Sequence, residues 1–322
     1  MADRIAVLDG YTLNPGDISW AALEQLGEVA VHDRTPDAQI LERAAGARFV
    51  LTTKVPFSAQ TIAALPDLQY IGVLATGYDI IDLAASKARG IVVTNVPTYG
   101  TDSVAQHAAA LMLELVRQPA LHAAAVREGA WTQSPDWCFS LSPIHELTGM
   151  TLGIVGIGRI GRAFARIGAA MGMRVLAFDE YPPGADALAG LEVEFTDVDN
   201  LFRRADVISL HCPLTPDTHH LVNPARLALI KPTAYVLNTS RGPLIDNAAL
   251  AAALHNEQIA GAGLDVLDGE PPPADNPLLT APNCLITPHV AWYAKASRER
   301  LMEIAVDNLR AFVAGKPVNT LG

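Results

Sequence analysis

The sequence predicts an α/β protein made of two doubly wound parallel-sheet domains. Three observations carry this expectation. Short apolar runs rich in branched residues alternate with helix-patterned stretches along the whole chain, which is the signature of βαβ units. The run Thr151-Leu-Gly-Ile-Val-Gly-Ile-Gly-Arg-Ile-Gly161 places a G-x-G-x-x-G spacing at mid-chain, so something of domain size precedes it. The 322 residues, half of them hydrophobic, suffice for two domains with their own cores.

In chain order, Arg4 to Leu8 reads as a strand, and Ser19 can cap a helix reaching Leu26. Val29–Val31 is a short strand, Asp37–Ala45 a helix, Arg48–Thr52 a strand and Ser58–Leu65 a helix. Leu68–Val73 is again a strand, followed by a helix over Asp82–Arg89 that Gly90 stops, and by the strand Ile91–Val93. This first segment has no glycine-rich phosphate loop. From Ser103 to Val116 a long helix is expected, so apolar that it should be buried between domains or in an interface. A second helix precedes Gly129. The irregular stretch 131–143 carries two Trp and two Pro and should pack against something, a second subunit being one candidate.

The glycine run has the context that gives the spacing meaning. Leu152–Val155 looks like a buried parallel strand, and Phe164, Ile167 and Met171 recur at helical spacing after Gly161. In such a strand–turn–helix, Gly156 permits the sharp turn and Gly158 lets the backbone approach a pyrophosphate. Gly161 allows close helix–strand packing. The phosphates would sit at the helix N-terminus, where unpaired N–H groups and the macrodipole favour anions. The next strand, Arg174–Phe178, ends at Asp179, 18 residues beyond Gly161, near the offset of a carboxylate that binds ribose hydroxyls. A carboxylate there repels a 2′-phosphate, and Glu180-Tyr-Pro-Pro183 offers no Arg to receive one, so NAD is expected over NADP.

After the loop, four more strand patterns end in polar residues: Val207–Leu210 before His211, Tyr235–Asn238 before Thr239-Ser-Arg-Gly242, Gly261–Leu264 before Asp265, and Cys284–Thr287 before Pro288-His289. Ligands of open α/β sheets bind at this carboxyl edge. Arg241, Glu270 and His289 stand out there. Reducing a carbonyl by hydride needs a proton for the oxygen, and His is the natural donor near neutral pH. A carboxylate orients such a His and favours its charged form. A guanidinium can grip a substrate carboxylate through two parallel bonds. Spacing alone leaves other roles open: a surface ion pair for Arg241, a loop carboxylate for Glu270, a cap for His289. The remaining histidines, His32, His107, His122, His145, His219, His220 and His255, show no ligand spacing and read as structural or solvated.

Composition narrows the classes. The formal charge of −11, from 23 basic and 34 acidic side chains, with no basic cluster, argues against nucleic-acid binding. No apolar run reaches membrane-spanning length. Met-Ala-Asp-Arg-Ile at the start lacks signal-peptide architecture. Cys138, Cys212 and Cys284 form neither a metal pattern nor a disulfide framework, so no metal is expected and a cytoplasmic location is.

Taken together, the ordered motifs resemble the D-isomer-specific 2-hydroxyacid dehydrogenase family over essentially the full length. They are Gly72-Val-Leu-Ala-Thr-Gly-Tyr-Asp79, Thr101-Asp-Ser-Val-Ala-Gln-His107, Leu152–Gly161, His211-Cys-Pro-Leu-Thr-Pro-Asp-Thr218, Asn238–Gly242, Gly263-Leu-Asp-Val266 with Gly269-Glu-Pro271, and Thr287-Pro-His289. Val96-Pro-Thr-Tyr-Gly-Thr-Asp-Ser103 and Ser134-Pro-Asp-Trp-Cys138 look like the glycerate dehydrogenase (hydroxypyruvate reductase) subgroup. The resemblance implies a Rossmann NAD-binding domain, 101–290, inserted into a flavodoxin-like substrate domain formed by 1–100 and 291–322. It implies catalytic roles for Arg241, Glu270 and His289, and substrate contacts from Ala75, Thr76, Gly77 and Trp292. Cofactor contacts would come from Thr101, Arg159, Ile160, Asp179, His211, Pro213, Thr218, Thr239, Asp265 and His289. The implied activity is NAD-dependent interconversion of a small 2-keto acid and its D-2-hydroxy acid, hydroxypyruvate/D-glycerate or glyoxylate/glycolate foremost. D-lactate-type or longer-chain substrates are alternatives, as is an NAD(H)-sensing corepressor-like protein. A homodimer is expected.

Overall fold

The computed structural model describes residues 3–322. The chain divides into two compact units, Met1–Gly100 with Tyr293–Gly322, and Thr101–Trp292. The return to the first unit thus lies at 292/293 rather than at 290/291. The cause is local: the Asp265 carboxylate accepts hydrogen bonds from the Val290 and Ala291 N–H groups, which ties both residues to the second unit.

Unit 1 is a six-stranded sheet. Its strands are β1 (Arg4–Val7), β2 (Glu28–Val31), β3 (Phe49–Thr52), β4 (Tyr70–Val73), β5 (Val92–Thr94) and, at its far edge, β13 (Thr320–Leu321). The order β2-β1-β3-β4-β5 is the flavodoxin-like one, all parallel, with β13 antiparallel to β5. β3 and β4 are buried throughout, which is why they read as unbroken apolar runs. One face packs around Ala6, Leu8, Val50, Phe57, Ile62 and Ile71. The other holds Phe49, Tyr70 and Phe312 in mutual ring contact, Phe312 arriving on the helix Lys295–Val313.

Unit 2 has seven strands: β6 (Thr151–Val155), β7 (Arg174–Phe178), β8 (Glu194–Phe195), β9 (Val207–Leu210), β10 (Tyr235–Asn238), β11 (Gly261–Leu264) and β12 (Cys284–Ile286). The order β8-β7-β6-β9-β10-β11-β12 is the Rossmann order with one added strand, parallel throughout. Its topological switch lies between β6 and β9, where the glycine loop leaves the sheet.

Two helix expectations change. The apolar face of the helix Thr101–Arg117 is buried inside unit 2, on the helix Arg159–Ala170 and strands β10 and β11. Gly261 and Gly263 make room for it, since a Cβ at either would stand 3.2 Å from a Leu115 methyl carbon. The segment begun by Ser19 is helical only over Ala21–Glu24, with Ser19 accepting from the Ala21 N–H. Among the described residues, no helix is long and apolar enough to cross a membrane.

Candidate active site

The C-terminal edge of the unit 2 sheet collects most of the predicted residues. At β6 the chain turns through Gly156, whose φ of +91° suits glycine. A Cβ there would also lie 2.5 Å from the Cys212 nitrogen, so the turn is pressed against the loop after β9. A Cβ on Gly161 would stand 2.2 Å from the Gly156 carbonyl oxygen, the close helix–strand approach expected of this position. Gly158 differs. A Cβ there would meet nothing within 4 Å. The protein itself does not require a small residue at that point; a phosphate group approaching the helix Arg159–Ala170 does. Arg159 is exposed and Ile160 half-buried in the first turn.

Asp179, at the end of β7, accepts from the Ile157 N–H at 2.7 Å and from the Tyr181 N–H at 2.9 Å. It therefore pins the glycine loop while its remaining lone pairs stay open to hydroxyls. His211, after β9, sits against the Phe164 ring and has Nε2 2.9 Å from the Ser209 hydroxyl. Burial pushes its pKa down to about 4, so the imidazole is neutral near pH 7. Pro213 and Thr218 form the adjoining turn, the Thr218 hydroxyl donating to the Pro213 carbonyl. Thr239, after β10, is buried and its hydroxyl has no hydrogen-bond partner. A buried unpaired hydroxyl at a ligand edge suits a bound polar group. With the space at Gly158, it makes the edge fit a dinucleotide. Thr101 is half-buried at the start of its helix.

The chemistry-bearing pair is next to β11 and β12. His289 Nδ1 lies 2.6 Å from Glu270 Oε2. Glu270 also accepts from the Leu267 N–H through Oε1, which fixes the carboxylate plane. Nδ1 is thus occupied and Nε2 is the nitrogen left for a substrate. His289 has φ +55°, a left-handed conformation uncommon for His. The turn is held from behind by Asp265, which is 1% exposed. Its Oδ1 accepts from the Thr287 hydroxyl and Val290 N–H, and its Oδ2 from the Ala291 N–H. Its carboxylate faces the His289 loop rather than solvent. Trp292 is half-buried directly after this clamp.

Arg241 is exposed and precedes the short 3-10 turn Gly242–Leu244. Asn238 donates to the Arg241 carbonyl, and Ser240 donates from its hydroxyl to the Cys212 carbonyl. Gly242 packs backbone to backbone on the next loop: a Cβ there would fall 2.0 Å from the Leu267 carbonyl carbon and 2.4 Å from the Asp268 nitrogen. The loops bearing Arg241 and Glu270 are therefore interlocked.

In unit 1, Ala75, Thr76 and Gly77 follow β4. Thr76 donates from its hydroxyl to the Val96 carbonyl, and its own carbonyl accepts from Asn95. Among the described residues, no group accepts from the three backbone N–H donors of 75–77. Such a turn can receive a carboxylate.

Sequence reasoning missed several supports. His107 Nε2 lies 2.9 Å from the Thr287 hydroxyl and 3.5 Å from Asp265, so of the structural and solvated roles open to it, it takes the structural one and backs the His289 loop. The motif that contains it was the available signal. Ser209, Ser240, Gly242 and Thr287 carried no signal without their neighbours. Cys212 is buried with its thiol pushed up to about 11, a spacer rather than a nucleophile.

Residues 109–291 match the family model described as the D-isomer specific 2-hydroxyacid dehydrogenase NAD binding domain. A hydroxypyruvate reductase from Blautia hydrogenotrophica is 47% identical over 321 residues, covering 99% of each chain. A glycerate dehydrogenase from Methylorubrum extorquens is 44% identical over 289 residues, 89% of each. Among solved structures, a D-lactate dehydrogenase from Aquifex aeolicus, complexed with NAD and lactic acid, superposes with a TM-score of 0.81 at 31% identity. That match covers 98% of this chain and 96% of the other.

Proposed function

The chain belongs to the D-isomer specific 2-hydroxyacid dehydrogenase family, with that family's NAD-binding domain, and on that premise we propose that its substrate pair is hydroxypyruvate and D-glycerate. The observation that carries the mechanism is the 2.6 Å contact between His289 Nδ1 and Glu270 Oε2 on a backbone turn clamped by Asp265. Bound NADH supplies the hydride. His289, oriented by Glu270, gives a proton from Nε2 to the keto oxygen. In the oxidative direction the same nitrogen takes the hydroxyl proton. Arg241 holds the substrate carboxylate and polarises the carbonyl. The N–H groups of Ala75, Thr76 and Gly77 offer a carboxylate seat on unit 1, and Trp292 limits substrate size. In this reading unit 1 is the substrate domain. Thr101, Gly156, Gly158, Arg159, Ile160, Gly161, Asp179, His211, Pro213, Thr218 and Thr239 serve the cofactor, Asp265 acts through the His289 loop that it holds, and Asp179 selects NAD over NADP.

The protein works as a cytoplasmic homodimer. Supporting this, the helix Pro119–Arg127 has no buried residue. Leu121, Val126, Trp131, Trp137, Leu141 and Ile144, on it and on the following loop, are all exposed. Such a collection of apolar side chains calls for a partner surface. A monomeric sedimentation coefficient would contradict it.

The deciding experiment compares kcat/KM for hydroxypyruvate, glyoxylate, pyruvate and phenylpyruvate with NADH and NADPH. Hydroxypyruvate with NADH should lead by about tenfold or more, the scale a pocket can discriminate. A higher value for glyoxylate or pyruvate reassigns the substrate, and equal values with both cofactors refute the role of Asp179. His289→Ala should lose about 10²–10⁴ in kcat while retaining NADH affinity. A fully active variant removes His289 from the mechanism.

A further inference from the structure

The opposite, N-terminal edge of the unit 2 sheet holds a cavity of about 370 Å³ that the dehydrogenase chemistry does not use. It is lined by Thr151, Arg174, Val175, Leu176, Glu194, Arg203, Arg204 and Lys231. Thr151 and Arg174 open β6 and β7, so the cavity and the glycine loop lie at opposite ends of the same strands. A group bound here is not the dinucleotide of the reaction.

The charge of this cavity runs against that of the chain. Four cations line it in a protein of formal charge −11. Two already have carboxylate partners. Arg204 makes a two-pronged pair with Glu194 at 2.6 and 2.8 Å, and Lys231 binds Asp206 at 2.7 Å. Asp206 is in turn anchored by the Thr151 N–H. These partly exposed pairs line one side of it. Arg174 and Arg203 are exposed and make no side-chain hydrogen bond among the described residues. Arg174 lies near enough to Glu194 to help hold its carboxyl below the ordinary value, after Arg204, and four cations against Glu194 and Asp206 leave a formal surplus of two positive charges. The surplus also outweighs the negative end of the helix Val198–Arg204, whose last turn carries both Arg203 and Arg204.

We propose that this cavity is an anion site for a small phosphomonoester, held by Arg174 and Arg203. The chemistry selects that class. A guanidinium matches phosphate oxygens with two parallel hydrogen bonds. A phosphomonoester carries about −1.5 to −2 at pH 7, which complements the surplus. The volume lies in the range of small-ligand sites.

The test uses the intact protein saturated with NADH, so that the other edge is filled. Inorganic phosphate and glycerol 2-phosphate are titrated with ionic strength held constant by sodium chloride, and Tm and binding heat are measured. Both probes should raise Tm by about 2–4 °C as they pass roughly ten times Kd. The rise should vanish in Arg174→Gln/Arg203→Gln, with NADH affinity and keto-acid turnover as in the parent. Tighter binding of the ester assigns the site to an organic phosphate; equal binding assigns it to free phosphate. Should the double variant fold poorly, Arg203→Gln alone should weaken phosphate binding about tenfold or more, the scale of a charged hydrogen bond. No rise with either probe overturns the proposal. So does an equal rise with sodium chloride alone, or a rise that survives in a folded variant.

Discussion

The two sheets end in turns of opposite character. After β1, Asp9 is buried and its two oxygens accept the Thr53 and Lys54 N–H groups at 2.8 and 2.5 Å. The helix that follows is one turn long, Gly10–Leu13. After β6 the equivalent turn has bare glycines, open space at Gly158 and a twelve-residue helix behind it. Unit 1 carries its own anion in the turn, on the chain. Unit 2 leaves the turn vacant of side chains for an anion brought by a ligand. The difference teaches that the doubly wound fold supplies an edge and that a few residues decide what the edge accepts.

The contrast can be broken most directly by giving unit 2 the chemistry of unit 1. Gly158→Asp puts a carboxylate where a pyrophosphate should lie, and like charges there cost several kcal/mol. NADH affinity measured by fluorescence titration should fall about 10²–10³-fold. An unchanged Kd would mean that the open space is not a phosphate seat. The interlocked loops come next. Gly242→Ala forces the Arg241 turn away from Leu267 and Asp268, and a displacement near 1 Å should lower kcat/KM about 10²-fold with NADH binding retained. Parent-like kinetics would show that the two loops act independently.

Acid separates the edges by sign. His211 has its pKa depressed from 6.5 to about 4 by burial. Between those values the unfolded chain binds the proton that the native state refuses, so stability falls as pH falls through that window. Urea titrations at pH 7, 5.5 and 4.5, with His211→Asn as the reference, should assign on the order of 2–3 kcal/mol of the loss to this group. No difference from the reference would mean that the imidazole is solvated. Asp9 runs the other way. Burial raises its carboxyl above the ordinary aspartate value of 3.8 against the pull of its backbone hydrogen bonds. Its contribution is complete below that value and is lost as pH rises through the raised one. Removing it leaves two N–H groups without their acceptor. Asp9→Ala should therefore cost about 1–3 kcal/mol in urea unfolding and leave NADH affinity unchanged. A loss of NADH binding would contradict the assignment of that turn to structure alone.

Much of this architecture was legible in the chain. Buried parallel strands announce themselves as short branched runs, as β3, β4, β6 and β9 do. The half-exposed β2 and β12 and the glycine-rich β11 were read from their place in the alternation. The two-residue strands β8 and β13 were not legible, because Glu194–Phe195 and Thr320–Leu321 pair only where a neighbouring edge presents itself. The helix Thr101–Arg117 showed its apolar face but not what covers it. That depended on the small residues Gly261 and Gly263, more than a hundred positions away. His107 could be read only as structural or solvated for the same reason: its partners, Thr287 and Asp265, are remote in sequence.

By itself, then, the sequence determined the order of the longer strands, the mid-chain glycine turn and the candidates Arg241, Glu270 and His289. Local pattern and residue chemistry are properties of short segments and survive without coordinates. Only the tertiary structure decided that Nδ1 of His289 meets Glu270 and leaves Nε2 open, that Asp265 holds His289 in a left-handed turn, and that Gly242 locks two loops together. Those are contacts between strand ends brought side by side by parallel pairing, and no spacing along the chain encodes their distance.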